Sequence, residues 1–335
     1  MAETFRVIQF QRKPLPGQNS VERLSEDIRR NLPPSVRCEA RILPFQSRGV
    51  FRRFANILYC CAPRGSLRHI TGDTSYAGLF GPSSKTLLTI LDCVSLHRLK
   101  GWRRSVLKKM WYDLPIRHAQ IVTVISNFVR DELLSLINCD AGKVRTVYLP
   151  VSNYFQPSAR IRSNSPPVIL QIGTGSNKNL ERLALALEGI SCQLNIIGDL
   201  APQQRALLAE KRISYNSSAN IGVEEVVRQY READLVTFVS TYEGFGLPIV
   251  EANATGRPVI TSNCSSMPEI AGDAACIVDP FDPQSIREGV TRILTSADYS
   301  RSLVEAGFVN AARFSAPKIA AEYASIYEEL ISSNP

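Results

Sequence analysis

The chain has 335 residues, 44% of them apolar and 21% charged, with a formal net charge of +8. That length suits two domains with a core each, and no apolar run nears the roughly 18 residues of a membrane span. The basic excess suits anionic partners: nucleotides, nucleic acid or the anionic inner face of a membrane. In chain order, Phe5 to Phe10 reads as a strand and Gln11 to Gln18 as a loop holding Pro14, Pro16 and Gly17. Asn19 or Ser20 is placed to cap a helix running to about Asn31. Strands are expected at Arg37 to Leu43, Arg68 to Ile70, Thr86 to Asp92, Ile121 to Ile125 and Val144 to Leu149. Helices are expected at Val50 to Cys61 and from the Ser126-Asn127 cap to about Leu136. Pro150 to Pro167, rich in Ser, Pro, Asn and Arg, reads as a linker between two similar patterns.

The second half restarts with the apolar run Pro167 to Gly173. Helices from Asn179 and Pro202 and over Val223 to Glu232 alternate with strands at Gln193 to Ile197 and near Ser214. Two more follow at Asp282 to Thr295 and Asp298 to Arg313, and Ala316 to Ile331 carries apolar residues at helical spacing. Alternating strands and helices in both halves predict doubly wound α/β domains.

The stretch from Val236 to Glu251 reads as a buried strand, a glycine-bearing loop and a helix start, with Glu243 and Glu251 around Gly244-Phe245-Gly246-Leu247-Pro248. The first amides of a helix lack internal partners and carry partial positive charge, so they suit a phosphate. A carboxylate does not bind phosphate but accepts hydrogen bonds from sugar hydroxyls. Amides for a diphosphate beside carboxylates for hydroxyls describe a nucleotide-sugar site.

This E-x7-E arrangement closely resembles the donor-site motif of retaining GT-B glycosyltransferases of the group 1 (family 4) type. The likeness continues through Ala252, Gly256-Arg257-Pro258-Val259-Ile260, Ser262, Met267-Pro268-Glu269, Ala271 to Ala275 and Asp279-Pro280. It is strong in the C-terminal half and only an outline in the N-terminal half. The resemblance implies two Rossmann-like domains facing a cleft, 1–155 for the acceptor and 165–315 for the donor, with a C-terminal helix, 316–335, crossing back to the first. Glu251 is then expected on the ribose hydroxyls and Glu243 on the transferred sugar, where it would also stabilise an oxocarbenium-like centre. The amides of Gly244, Phe245, Gly246 and Leu247 are expected around the sugar and diphosphate. Lys178 lies in Gly173-Thr174-Gly175-Ser176-Asn177-Lys178 after a strand, where a fixed cation would stabilise the charge growing on the leaving phosphate. Relatives pair that lysine with an arginine; here position 177 is Asn, and Arg182 or a residue of the other domain is left to compensate.

Asp92, at the end of its strand, is the first-domain candidate for a catalytic group, although Leu91 stands where many relatives have histidine. His69 and Asp73 resemble another family pattern and are equally open to a structural reading. Gly17 alone stands where relatives place a glycine pair. Ser126 reads as a helix cap, and Arg130 stays open as a cleft cation. Leu99 to Tyr112 is basic and amphipathic and holds both tryptophans; it would rest on anionic lipid, grip a lipid-linked acceptor, or simply be a cleft-side helix with snorkelling lysines.

The implied activity is retaining transfer of a hexose, mannose or glucose, from a GDP- or UDP-sugar to a saccharide or lipid-linked acceptor, in bacterial surface polysaccharide synthesis. No cofactor, metal or nucleic-acid partner is expected. The eight cysteines lack C-x-x-C spacing, and several sit in apolar context, which predicts a reducing, cytoplasmic setting, with contact to the inner membrane face open. The acid at Glu3 ahead of the first strand argues against a signal peptide. Two rivals are a GT-B phosphorylase or sugar-nucleotide epimerase, and a basic nucleic-acid binder, for which Glu243 and Glu251 would serve no purpose.

Overall fold

Val7, Ile8 and Phe10 of β1 (Phe5–Gln11) are fully buried, and the strand is covered on both faces, as strands inside parallel sheets are. After it come α1 (Ser20–Arg30), β2 (Val36–Ile42), α2 (Val50–Cys61), β3 (Leu67–Ile70) and β4 (Thr86–Ile90). Then follow α3 (Val94–Arg98), α4 (Gly101–Leu107), α5 (Leu114–His118), β5 (Ile121–Val124), α6 (Asn127–Leu136) and β6 (Val144–Thr146). The second half has β7 (Val168–Ile172), α7 (Leu180–Leu187), β8 (Gln193–Ile197), α8 (Pro202–Glu210), β9 (Ser214–Ser218), α9 (Val223–Glu232) and β10 (Leu235–Phe238). It continues with α10 (Leu247–Thr255), β11 (Val259–Ser262), α11 (Met267–Ala271), β12 (Cys276–Val278), α12 (Pro283–Thr295), α13 (Ala297–Ala312) and α14 (Ala316–Ser332). This computed structural model describes residues 4–13, 20–61, 66–159 and 166–332; Pro14, Pro16, Gly17 and Asn19 lie outside them.

Contacts divide the chain into two units: Met1–Pro150 with Ala316–Pro335, and Val151–Ser315. Each is built on six parallel strands, ordered β2-β1-β3-β4-β5-β6 in the first and β12-β11-β10-β7-β8-β9 in the second. This is the doubly wound construction that the alternating pattern implied, in the two-domain form that the GT-B resemblance implied. In the first unit, Ile319, Tyr323, Ile326, Tyr327 and Leu330 of α14 share a core with Val7, Leu67, Leu87 and Ile121 of the sheet. The last helix thus returns to the first unit. In the second, Leu183 and Leu187 of α7 and Ile286, Val290 and Ile293 of α12 pack on Ile169, Leu194, Leu235 and Ile260. Among the described residues, no helix is long and apolar enough to cross a membrane.

Three local readings change. The residues after Pro150 are not loose linker: Val151 N–H donates to Phe314 O at 2.8 Å, and Phe155 packs edge-on against Tyr230 with ring centroids 5.3 Å apart. Buried Arg257 also donates to the Ser158 carbonyl (3.2 Å), so the unit boundary falls at Pro150 rather than Phe155. The strand at Thr86 stops at Ile90, because the Asp92 carboxylate accepts the Val94 amide at 3.0 Å and turns the chain into α3. The stretch Leu99 to Tyr112 is not one helix. α4 runs into a π turn at Lys108–Asp113 just ahead of α5. Pro115, having no N–H, removes the usual partner of the Trp111 carbonyl, which accepts the Ser75 hydroxyl instead. The two tryptophans consequently diverge: Trp102 is 73% exposed, while Trp111 lies beneath Arg53 with the guanidinium 4.5 Å from the ring centroid.

Candidate functional site

Ligands of open α/β sheets bind beyond the carboxyl ends of strands where the strand order reverses. In the second unit that reversal lies between β7 and β10, which are hydrogen-bonded neighbours. The loop after β7 holds Gly173 to Lys178, and the loop after β10 holds Ser240 to Gly246. Topology alone therefore brings the two motif segments together.

The loops are joined by specific bonds. Asn177 O accepts the Thr241 amide at 2.8 Å, and its side-chain amide donates to Tyr242 O (3.1 Å) and Glu243 Oε1 (3.0 Å). Lys178 Nζ donates to the same Glu243 oxygen at 2.6 Å and stands 4.7 Å from the centre of the Phe238 ring. Lys178 and Glu243 thus form a half-buried ion pair, with side chains 23% and 16% exposed, still reachable by a ligand. Gly173 lies beneath it: at φ +86°, a Cβ there would sit 2.9 Å from Lys178 Cγ. Only glycine supplies that backbone while leaving the lysine its place. Asn179, left-handed at φ 60°, donates to Val239 O (3.0 Å) and Pro280 O (2.6 Å), anchoring the loop to the sheet.

The second loop enters α10 through Gly246 at φ +112°, with Pro248 in the first turn, where a missing N–H costs little. Ser266 Oγ lies 2.9 Å from Glu243 O and 2.7 Å from Phe245 O and fixes the loop from behind. The Phe245 ring is buried edge-on against Phe314, so this residue offers a ligand only its backbone. Glu251 stands one turn into α10, half-buried, and its Oε2 accepts the Tyr230 hydroxyl at 2.7 Å. Burial first, and the Glu251 charge second, push the Tyr230 phenol far above its ordinary pKa, so it remains a donor. The Thr174 hydroxyl donates to Asp199 O at 2.6 Å and braces its loop. Arg182 is turned onto Asn179 Oδ1 (2.9 Å) and the Phe281 ring.

In the first unit the order reverses between β1 and β3, and a cavity of about 560 Å³ opens there, lined by Arg12, Arg53, Asp73, Asp92, Arg98 and Trp111 among others. Arg12 is paired with Glu22 at 2.9 Å. Burial raises the Asp92 pKa, its amide bond to Val94 opposes this, and nearby Glu132 and Asp73 add to the rise. His69 is not part of this cavity's lining. It is buried, with Nδ1 2.8 Å from Tyr327 OH and Nε2 2.7 Å from Thr89 Oγ1, and burial drops its pKa to about 3. Its role is to seat α14. Arg130 donates to Val144 O at 3.2 Å and stabilises the approach to β6. Ser126 accepts the Val129 amide at 3.1 Å as the cap of α6.

Sequence reasoning singled out Lys178, Glu243 and Glu251 but missed Tyr230 and Ser266, and saw Asn177 only as the loss of a cation. Tyr230 lies on the apolar stripe of α9, and nothing in that spacing shows that its hydroxyl reaches Glu251. Arg53 and Trp111 were legible only as basic and aromatic residues, since their meeting depends on the π turn.

Residues 156–309 match the profile of the family described as glycosyl transferases group 1. The chain is 28% identical over 251 residues to O-antigen chain mannosyltransferase B of Escherichia coli, covering 68% of this chain and 65% of that one. It is 27% identical over 260 residues to the MMP alpha-(1->4)-mannosyltransferase of Mycolicibacterium hassiacum, covering 71% and 62% respectively. The matched region thus spans a little under two thirds of these relatives. Among solved structures, sucrose-phosphate synthase of Thermosynechococcus elongatus superposes with a TM-score of 0.78 at 19% identity, covering 98% of this chain and 100% of that one. Anabaena HepE in complex with UDP-glucose gives 0.74 at 15% identity, covering 98% and 99%. These last likenesses concern the fold. The second unit thus carries the sequence pattern of the group 1 glycosyl transferases, and the chain as a whole has the GT-B fold.

Proposed function

We propose that the chain is a retaining hexosyltransferase whose second unit binds a nucleoside-diphosphate sugar and whose first unit binds a saccharide or lipid-linked acceptor. The observation that carries this reading is the cation–carboxylate pair Lys178–Glu243 beside the amino-terminal end of α10, with Glu251 one turn further on. Lys178 and the α10 amides face the diphosphate, Glu251 accepts from the ribose hydroxyls, and Glu243 orients the transferred sugar. The bond from the anomeric carbon to phosphate breaks with its electron pair going to the phosphate oxygen. The acceptor oxygen bonds to the same face of that carbon, and the hydroxyl proton passes to the released diphosphate. Lys178 accelerates this because the charge it faces is larger in the transition state than in the ground state. The mannosyltransferase relatives favour a mannosyl donor, and the UDP-glucose complex of HepE supports a nucleotide sugar as the donor class. Synthesis of a surface polysaccharide at the cytoplasmic face of the membrane is the setting that fits the O-antigen relative.

A thermal-shift series with GDP-, UDP- and ADP-sugars tests the donor site. One nucleotide sugar is expected to raise the melting temperature of the wild type and to lose most of that effect with Glu251→Ala and Lys178→Ala. An undiminished response from both variants would remove the donor site from this loop pair.

A further inference from the structure

α2 is apolar on two faces. One, holding Asn56, Ile57 and Cys60, is buried in the first unit. The other presents Phe51 at 90% exposure, Val50 at 77%, Leu58 at 56% and Phe54 at 55%. Positions 50, 54 and 58, with 51 beside them, form one stripe along roughly 12 Å of helix. A helix that is apolar nearly all round is normally buried on all sides, so the outward stripe needs an occupant. Ile42 and Phe45, on the chain leading into α2, are also exposed, and Asn56 ties that approach to the helix through both Phe45 N (3.1 Å) and Phe45 O (2.9 Å). In the second unit, large exposed apolar side chains are scattered over separate elements, as on most soluble domains.

Charge selects the occupant. No acidic residue occurs from Leu43 to Gly72, a stretch holding Arg48, Arg52, Arg53, Arg64 and Arg68. Arg48 and Arg52 are exposed at the edge of the stripe, while Arg53 is turned onto Trp111 and Ser47 O. A second copy would set Arg48 and Arg52 against their own counterparts, which disfavours a dimer through this surface. Nucleic acid offers nothing to a row of phenylalanines without a stacking cleft. An anionic bilayer surface satisfies both features, since it takes apolar side chains below the headgroups and arginines among them. We propose that α2, with the segment entering it, is a peripheral membrane-docking surface that inserts Phe51, Phe54, Val50 and Leu58 into the interface of an anionic lipid leaflet. This concerns a face distinct from the donor loops and holds whatever sugar they carry.

Co-sedimentation of the full chain with vesicles of phosphatidylcholine alone, or with one third phosphatidylglycerol, tests it. The wild type is expected to partition onto the anionic vesicles at least tenfold more than onto the neutral ones. Phe51→Ser/Phe54→Ser should lose about tenfold or more of that binding, and Arg48→Ser/Arg52→Ser should lose it mainly at low salt. Both pairs are exposed, so melting temperature and nucleotide-sugar response should stay at wild-type values; Phe51→Ser alone serves if the double variant folds poorly. The proposal is overturned if the wild type ignores anionic vesicles or if the phenylalanine variants pellet like the wild type. It is equally overturned if light scattering shows a dimer that Phe51→Ser dissolves.

Discussion

The two units share a construction and differ in what they place at the corresponding point. Each is a six-stranded parallel sheet whose order reverses once, between β1 and β3 in the first and between β10 and β7 in the second. At the second reversal the loops are short, held by glycines at φ +86° and +112°, and joined through a lysine–glutamate pair. At the first, the chain leaves a wide cavity whose charged groups come from several elements: Arg12 after β1, Asp73 after β3, Asp92 after β4 and Arg53 from α2. One reversal point is prearranged around a small set of side chains, while the other is a basin assembled from distant parts. A fixed, common ligand such as a diphosphate suits the former. A variable acceptor suits the latter, since loops and added helices alter such a basin without disturbing the sheet.

The sharpest way to break this comparison is Lys178→Ala. If the paired cation carries the charge of the departing diphosphate, the turnover number should fall by about 10²–10³, the scale of losing one preorganised electrostatic group. Release of nucleoside diphosphate measures it. Asn177 keeps its 3.0 Å bond to Glu243, so the loop geometry should survive and the melting temperature should change little. A loss confined to KM would show that the lysine grips ground and transition states alike, and would move catalysis elsewhere.

That contrast also explains what the sequence made legible. Strand and helix positions followed from apolar periodicity in both units, and α2, β8 and α9 begin and end where the pattern puts them. The loops at the second reversal were readable because their geometry depends on consecutive residues, from Gly173 to Lys178 and from Glu243 to Glu251. Asp92 was readable as a strand-end acid, whereas the remainder of the first-unit cavity was not. Its wall depends on the π turn that Pro115 imposes on Lys108–Asp113, and on Arg53 reaching Trp111 from another helix. The proline was visible, but which carbonyl would lose its partner, and that Ser75 would supply one, is tertiary information. His69 shows the converse: a histidine at a strand end suggests chemistry until α14, arriving from more than 250 positions away, covers it with Tyr327.

A smaller effect separates Tyr230 from the residues that touch ligand. Its hydroxyl fixes one oxygen of Glu251 at 2.7 Å from a buried position, so in the proposed donor site it acts as a positioning residue for that carboxylate. Tyr230→Phe keeps the ring and its packing on Phe155. Removing one hydrogen bond to a charged group should weaken nucleotide-sugar binding by roughly tenfold, with the turnover number within about twofold of wild type. Calorimetric titration and saturation kinetics read the two quantities separately. A large fall in turnover with unchanged affinity would mean that Glu251 acts on the reacting centre and not on the ribose.

The smallest effect is expected in the first unit, where it tests whether Asp92 is kept for chemistry at a cost to the fold. Burial is the main cause that raises its pKa, so the folded protein favours the protonated carboxyl more than the unfolded chain does. Stability from this group is therefore fully present below the unfolded-state pKa and is lost as pH rises through the elevated folded value. Above that value the fold holds a carboxylate that it disfavours. Asp92→Asn keeps an oxygen to accept the Val94 amide, removes the charge, and should raise the melting temperature by about 2 °C at pH 7, with the gain shrinking towards nothing near pH 4. The nucleotide-sugar shift, which reports the other unit, should be unaltered, while transfer to acceptor should fall. A substitution that lowers the melting temperature at pH 7 would mean that the charge is satisfied by its surroundings, Arg98 among them. The acid would then belong to the architecture of the first unit, as His69 does.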